Sequence, residues 1–470
     1  GNGTDRKMTE SATLIQRLKG AWRDITGSKL GGVKADLSTL SDLDHLREQM
    51  RSCLEARGGQ VSARSRAATL GRTYLELDRK GRERFLKVLA EDFDVDDEAV
   101  EQQLAAVVEV EPHERSAAYA SLRRALEPGR TRLLTQFNGL PEGVKFLVDL
   151  RADLSRLTRK NTAFRVLDND LRQLLTSWFD IGFLELQRIK WDSPASLLEK
   201  LIAYEAVHEI RSWDDLKNRL DSDRRCFAFF HPRMPDEPLI FVEVALVNGL
   251  AGNVQELLDE DAPVIDPNDA DTAIFYSISN AQKGLAGISF GGFLIKRVVD
   301  VLQSEFHGLK TFSTLSPIPG FRAWLDEALN GEKSLIIEPD ITALRDVAGL
   351  TGESGDPLQV ILATENWVED ETISSAVEPI LMRLCTRYLL KEKGRSGRAK
   401  DPVAHFHLTN GAQVERLCWK GNASEAGMSR SYGLMVNYLY RLDKIEENHE
   451  SYTGELKIKA SSNVNRLLKN

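Results

Sequence analysis

The sequence predicts an α + α/β protein, an all-α helical bundle in the first half and a mixed α/β domain in the second. Three observations carry this reading. Apolar residues recur at helical spacing through the first half, strand-like runs are nearly absent before residue 220, and strands interleave with helices after Arg225. The 470 residues suit about two to three domains. Residues 1–10 are read as a disordered cloning remnant ahead of the internal Met8, 11–178 as the helical domain and 179–470 as the α/β domain.

Leu14, Leu18, Ala21, Trp22 and Ile25 mark the first apolar helix face, which Gly27 ends. Phe85, Leu86, Leu89 and Phe93 form another. Val100, Leu104, Val107 and Val108 follow the acidic start Asp96-Asp97. Helical patterns continue through 122–126, 133–137, 144–157 and 171–183, with breaks at Glu127-Pro128-Gly129 and Asn138-Gly139-Leu140-Pro141. Ser193 then reads as an N-cap with Pro194 at the first helical position. Segments 226–230 and 239–246 are apolar strands joined by a Pro-rich loop, hence a hairpin. A strand at 272–279, a helix at 293–306 and a strand at 310–315 come next. Helices at 321–329, 341–350 and 373–391 and strands at 414–419 and 433–440 complete the reading.

Hydrophobic residues make up 42% of the chain and charged ones 28%, an ordinary balance with ample material for a core. The net charge of −9 gives no general basic field, so nucleic acid is not an expected partner and a phosphate ligand would be gripped locally. No apolar run reaches the length of a membrane span, and no secretory h-region is seen. Cys53, Cys226, Cys385 and Cys418 are far apart, without zinc-like spacing. No metal site is expected, and a reducing, cytoplasmic location fits.

Chemistry concentrates in the segment from Ala273 to Ser316, which runs strand, glycine-studded loop, amphipathic helix, strand. A glycine loop opening a helix presents backbone N–H groups at the positive end of the helix dipole, a cradle for phosphate. The same glycines equally serve tight β-loop-α packing. Lys296 and Arg297, one turn into the helix, are candidate phosphate partners or plain surface charges.

Two further pieces stand out. In Asp401-Pro-Val-Ala-His-Phe-His-Leu-Thr-Asn-Gly-Ala412, His405 and His407 share one side if the segment is extended. An imidazole near its ordinary pKa gives or takes a proton at neutral pH. Ser316 precedes Pro317-Ile-Pro-Gly320, where the prolines fix the backbone just after a strand. The absence of a Gly-x-Ser-x-Gly elbow disfavours a hydrolase nucleophile, and a helix-capping serine is the alternative.

The loop Gln282-Lys-Gly-Leu-Ala-Gly287 resembles the pyrophosphate loop of the GCN5-related N-acetyltransferase (GNAT) superfamily, one residue out of its usual Gln/Arg-x-x-Gly-x-Gly/Ala register. Taken with Phe275-Tyr-Ser-Ile-Ser279, Phe293-Leu-Ile-Lys-Arg-Val-Val299, Ser316-Pro-Ile-Pro-Gly-Phe321, Pro402-Val-Ala-His-Phe-His-Leu408, Asn410-Gly-Ala412 and Gly433-Leu-Met-Val-Asn-Tyr438, the chain resembles the malonyl-CoA decarboxylase family. Tyr74-Leu-Glu-Leu77 and 85–93 extend the resemblance into the helical half. It implies a helical domain that mediates a homo-oligomer, dimer or tetramer, and a GNAT-like catalytic domain that converts malonyl-CoA to acetyl-CoA and CO2.

Carried over by motif, the catalytic serine is Ser316 and the catalytic histidine is His407, the one preceding Leu-x-Asn-Gly-Ala. Tyr440 and Asn437 are orienting candidates. The CoA-binding set is Gln282, Gly284, Ala286, Gly287, Ile288, Ser289, Phe290, Gly291, Gly292 and Lys296. Decarboxylation leaves an electron pair that the thioester itself accepts as an enolate, so no metal or organic cofactor is expected. A backbone N–H in Tyr276–Ser279 is the expected oxyanion donor. Ser316 would grip the carboxylate and His407 would protonate C2. The chain ends Leu467-Leu-Lys-Asn470 without Ser-Lys-Leu, and lacks an Arg/Ser-rich transit segment, as a bacterial-type cytoplasmic member would. The other classes are a GNAT-type acyltransferase, which would need an amine-accepting groove, and an acyl-CoA sensor that binds without turnover.

Overall fold

A computed structural model describes residues 18–23, 25, 32–55, 59–179, 184–291, 293–331, 335–349 and 355–469. Leu14, Gly27 and Gly292 lie outside them. The chain forms two compact units. One holds the described residues up to Glu185 together with Phe229–Leu239 and Asn280–Phe290; the other holds Leu186–Ala228, Ile240–Ser279 and the residues from Gly291 onward.

The first unit is helical, as its periodicity predicts. Its core is aromatic: Trp22 meets Phe146 edge-on at 5.0 Å, Phe146 stacks on Phe137 at 4.8 Å, and Tyr74 packs edge-on against Phe85 at 4.9 Å. Phe85, Leu86 and Leu89 bury one face of the helix Arg79–Asp92, which Asp78 caps through Gly81 N–H. The face of Val100, Leu104, Val107 and Val108 is different. It lies on the helix Asp97–Glu109, which buries no residue and packs on Arg115–Ala125, which buries none either. Helical spacing identifies an apolar stripe but does not say what covers it.

Among the described residues there is a sheet of eight strands, most of whose residues belong to the second unit: β1 (Glu185–Ile189), β2 (Arg224–Phe230), β3 (Ile240–Val247), β4 (Thr272–Asn280), β5 (Thr311–Thr314), β6 (Ser316–Pro317), β7 (Gln413–Cys418) and β8 (Met435–Leu439). Their order is β1-β2-β3-β4-β5-β8-β6, with β7 also on β8. β4 and β5 are parallel, β8 is antiparallel to β5, β6 and β7, and helices join the strands. This is the mixed α/β arrangement that the second half of the sequence predicts.

Two local expectations change. β1 precedes residue 220, where helices were expected; only Ile189 of this strand is buried, so it carries little apolar signal. Ser193 does not cap the next helix. Its hydroxyl accepts from Lys190 N–H at 2.9 Å, and the helix Ala195–Tyr204 starts after Pro194.

Candidate active site

The geometry begins where β5 ends. Parallel pairing of β4 with β5 runs from Thr272/Thr311 to Phe275/Thr314, while β4 continues to Asn280. Ser316 sits two residues past β5, in β6, where Ser316 pairs with Val436 and Pro317 with Met435 of β8. The strand pairing fixes Ser316, which is buried.

His407 reaches this hydroxyl from a helix, not a strand. The segment Pro402–Thr409 is α-helical, started by Asp401, whose Oδ1 accepts from Val403 and Ala404 N–H at 3.0 Å each, with Pro402 at the first position. Two residues along a helix turn by about 200°, so His405 and His407 face opposite ways and cannot ligate one ion together. His405 Nδ1 meets Tyr452 Oη at 2.7 Å. His407 Nε2 lies 3.4 Å from Ser316 Oγ, and its Nδ1 lies 2.6 Å from Tyr440 Oη. Gly411 ends this segment with φ +90°, where a Cβ would stand 2.3 Å from the Ile445 carbonyl.

Burial pushes the His407 pKa down to about 3. The imidazole is therefore neutral at physiological pH, which corrects the expectation of a near-ordinary pKa. Burial also drives the Tyr440 phenol up, so it stays protonated; with the Ser316 proton on Thr314 Oγ1, the ring that serves both neighbours is the one that accepts from Tyr440 Oη at Nδ1. The remaining ring proton is then on Nε2, facing Ser316. Tyr438 stacks on the imidazole at 4.8 Å and fixes its plane.

Thr314 ties the serine to the sheet. Its Oγ1 accepts from Ser316 Oγ at 2.7 Å and from Tyr438 N–H at 3.1 Å. Asn437 points away, because residues alternate along β8. Its amide donates to Thr314 O at 2.7 Å and Ala251 O at 3.0 Å, while its oxygen accepts from Arg416 Nε and Cys418 Sγ. Both donors are used, so Asn437 braces the strand instead of presenting a free group.

Beyond Phe275, β4 is fixed from the side by Glu205. This buried carboxylate accepts from Ser277 Oγ at 2.7 Å, Ser279 Oγ at 3.1 Å, and Val207 and His208 N–H at 2.9 Å each. Burial opposes its charge, but hydrogen bonds from Glu243, His208 N–H and Ser277 hold it below the usual carboxylate range. Burial and the Glu205 charge push the neighbouring Glu243 up, so Glu243 is the protonated partner.

The loop predicted to bind CoA falls into two parts. Gln282 and Gly284 are buried: Gln282 accepts from Lys145 Nζ at 2.8 Å and donates to Pro238 O at 2.9 Å, and a Cβ on Gly284 would stand 1.7 Å from Val148 O. Ile288 and Phe290 are buried apolar anchors. Ala286, Gly287, Ser289 and Gly291 are exposed, and Gly287 has φ +78°. Lys296, in the second unit, pairs with Glu446 at 3.0 Å.

Sequence reading missed Thr314, Tyr438, Asp401 and Glu205. The first two carry a signal after the fact, since each is two residues from a predicted one, Ser316 and Tyr440. Asp401-Pro402 is a helix-start pair that reading the segment as extended set aside. Glu205 has no local signal.

Comparisons with known proteins bear on the chain as a whole. The family described as malonyl-CoA decarboxylase C-terminal domain matches residues 182–470, and that described as malonyl-CoA decarboxylase N-terminal domain matches 93–179. Mitochondrial malonyl-CoA decarboxylase of Rattus norvegicus is 38% identical over 429 residues, covering 87% of this chain and 83% of the rat protein. The crystal structure of malonyl-CoA decarboxylase from Rhodopseudomonas palustris is 42% identical with a TM-score of 0.84, covering 90% of this chain and 99% of that one. The Agrobacterium vitis malonyl-CoA decarboxylase structure is 39% identical with a TM-score of 0.79 over the same shares.

Proposed function

From the premise that the chain belongs to the malonyl-CoA decarboxylase family and converts malonyl-CoA to acetyl-CoA and CO2, we propose that Ser316 orients the carboxylate and His407 protonates C2. The observation behind this is the buried Ser316–His407–Tyr440 line, with the imidazole held as its Nε2–H tautomer. The 3.4 Å gap between Oγ and Nε2 is longer than a good hydrogen bond and leaves Nε2 available to a substrate, and Ser316 Oγ turns its one proton from Thr314 Oγ1 to the carboxylate when the substrate is bound.

In this reading the C–C bond breaks with its electron pair passing into the thioester carbonyl. A backbone N–H of Tyr276–Ser279, on the length of β4 that Glu205 braces, stabilises the enolate oxygen. Nε2–H then gives its proton to the strongly basic C2 as Tyr440 passes its own to Nδ1, so no imidazolate forms; a proton from water onto the phenolate and return of the ring to its Nε2–H tautomer complete the cycle. Tyr440 is one of the residues bordering a cavity of about 600 Å³, with Lys310 and Arg441. The thioester is the electron sink, so the reaction as proposed uses no metal or organic cofactor. Incubation with malonyl-CoA alone should release CO2 and acetyl-CoA in equal amounts; CoA release without CO2, or no turnover, would sink the assignment.

We assign the CoA phosphates to the loop at the exposed positions Ala286, Gly287 and Ser289. Gly287→Asp should weaken CoA binding by about 100-fold, because a carboxylate would meet the diphosphate, and like charges at contact cost several kcal/mol. The melting temperature should fall by only a few degrees, since there is room for a Cβ, with Arg172 Cδ at 4.0 Å, and the left-handed φ of +78° costs Asp about 1 kcal/mol. Calorimetry with undiminished CoA affinity would place the phosphates elsewhere.

The helical unit is our candidate for homo-oligomer assembly, as a dimer or tetramer. On its Asp97–Ala125 helices Leu104 is 49% exposed, Val108 76% and Tyr119 47%, and a second copy of the chain is the proposed cover. Val108→Glu should reduce the particle mass by at least one assembly step in analytical ultracentrifugation; an unchanged mass counts against this surface. No described helix is long and apolar enough to cross a membrane. We place the chain in the cytoplasm, where its four free, buried cysteines remain thiols. Recovery in a membrane or periplasmic fraction would overturn that placement.

A further inference from the structure

We infer that the helical unit supplies a cation to the CoA diphosphate, Arg172, beside a loop that Arg151 holds in shape. The inference rests on the assignment of the phosphates to the loop and adds a ligand to it. Arg151 lies on the helix Gly143–Ser155 and is buried. Its Nη1 donates to Gly284 O at 2.9 Å and to Ala286 O at 2.6 Å, while Nε bonds Asp168 at 3.1 Å. One guanidinium thus draws two loop carbonyls inward.

Three of the N–H groups in this stretch are spent internally: Leu285 on Gln282 O, Ala286 on Lys283 O and Ile288 on Leu285 O. Gly287 N–H bonds no described group, and Gly287 is exposed with a positive φ. The exposed surface at Gly287 therefore offers an N–H and no carbonyl partner on the Arg151 side, which suits an anion.

Arg172 stands next to that position. It lies on the neighbouring helix Thr162–Trp178, and its Cδ is 4.0 Å from where a Gly287 Cβ would be. Its guanidinium is exposed, with one long contact to Asn169 Oδ1 at 3.5 Å. Such a side chain can turn onto a phosphate at Gly287 without breaking a good interaction, and guanidinium suits phosphate oxygens in pairs. Lys296, one of the two cations expected from sequence, is already paired with Glu446.

The test measures KM and kcat for malonyl-CoA, malonyl-dephospho-CoA and malonyl-pantetheine with Arg172→Gln, Arg172→Lys and Gly287→Asp. Arg172→Gln should raise the KM of malonyl-CoA and of malonyl-dephospho-CoA by about 10-fold, the weight of one exposed charge-assisted contact. The change should fall on KM rather than kcat, the lysine variant should recover part of it, and malonyl-pantetheine, which has no phosphate, should show no change. An equal effect on malonyl-pantetheine would make Arg172 merely structural and overturn the inference. Loss of the effect with malonyl-dephospho-CoA would overturn its assignment to the diphosphate. If Gly287→Asp raises KM and Arg172→Gln does not, the inference fails while the loop assignment stands; if neither does, both fail.

Discussion

His407→Asn should lower kcat by about 10²–10⁴, the usual weight of a positioned proton donor. The effect belongs to this residue because His405, two positions earlier, faces Tyr452 on the other side of the helix; His405→Asn should retain most of the activity. The same variant separates two pH effects. Burial holds the His407 pKa at about 3, below its ordinary 6.5, so the native ring is neutral through the assay range and kcat should show no imidazole limb between about pH 6 and 8.

The acid side of stability should change instead. In the unfolded chain the ring takes up a proton near pH 6.5, whereas in the folded chain it does so only near 3. The unfolded state therefore binds more protons in that window. The contribution of neutral His407 to stability is full above 6.5 and is lost as pH falls toward 3. His407→Asn should flatten that part of the stability curve in urea unfolding at stepped pH. An imidazole limb in kcat near pH 6.5, abolished by His407→Asn, would show that the ring is not held neutral.

Ser316→Ala should lower kcat by about 10²–10³, the cost of one hydrogen bond made to the reacting group in a water-poor site. CoA affinity should stay nearly intact, since the serine lies on β6 and the phosphates are assigned to the loop at 286–289. The fold should tolerate the change: Thr314 Oγ1 loses a donor but keeps Tyr438 N–H. In the double variant with His407→Asn the losses should not multiply, because groups acting on one reacting centre fail together. Near-normal kcat in Ser316→Ala, or fully multiplicative losses, would mean that the serine and histidine do not act as this mechanism requires.

The family resemblance, not the local chemistry of either run, singled out Ser316 and His407 as a pair, and the structure brings the two side chains to 3.4 Å. The strands and long helices were legible from the chain itself. Periodicity, caps and turn residues act between neighbours along the chain, so Phe85–Leu89 already specifies a helix face and Thr272–Ser279 a buried strand.

Other features depend on residues that only folding brings together. Ser316 and His407 are 91 positions apart, and Thr314 and Tyr438 are 124 apart. The low pKa of His407 comes from burial alone, a property no local pattern carries. Asn437 turned away because its amide found four partners, and Gln282 turned inward because Lys145, 137 residues earlier, meets it. The sequence by itself determined the two structural classes, their order and the residue types fit for the chemistry. Tertiary structure decided which of those residues meet, which stay free and what charge they carry, because desolvation and hydrogen-bond satisfaction are set by spatial neighbours and not by sequence neighbours.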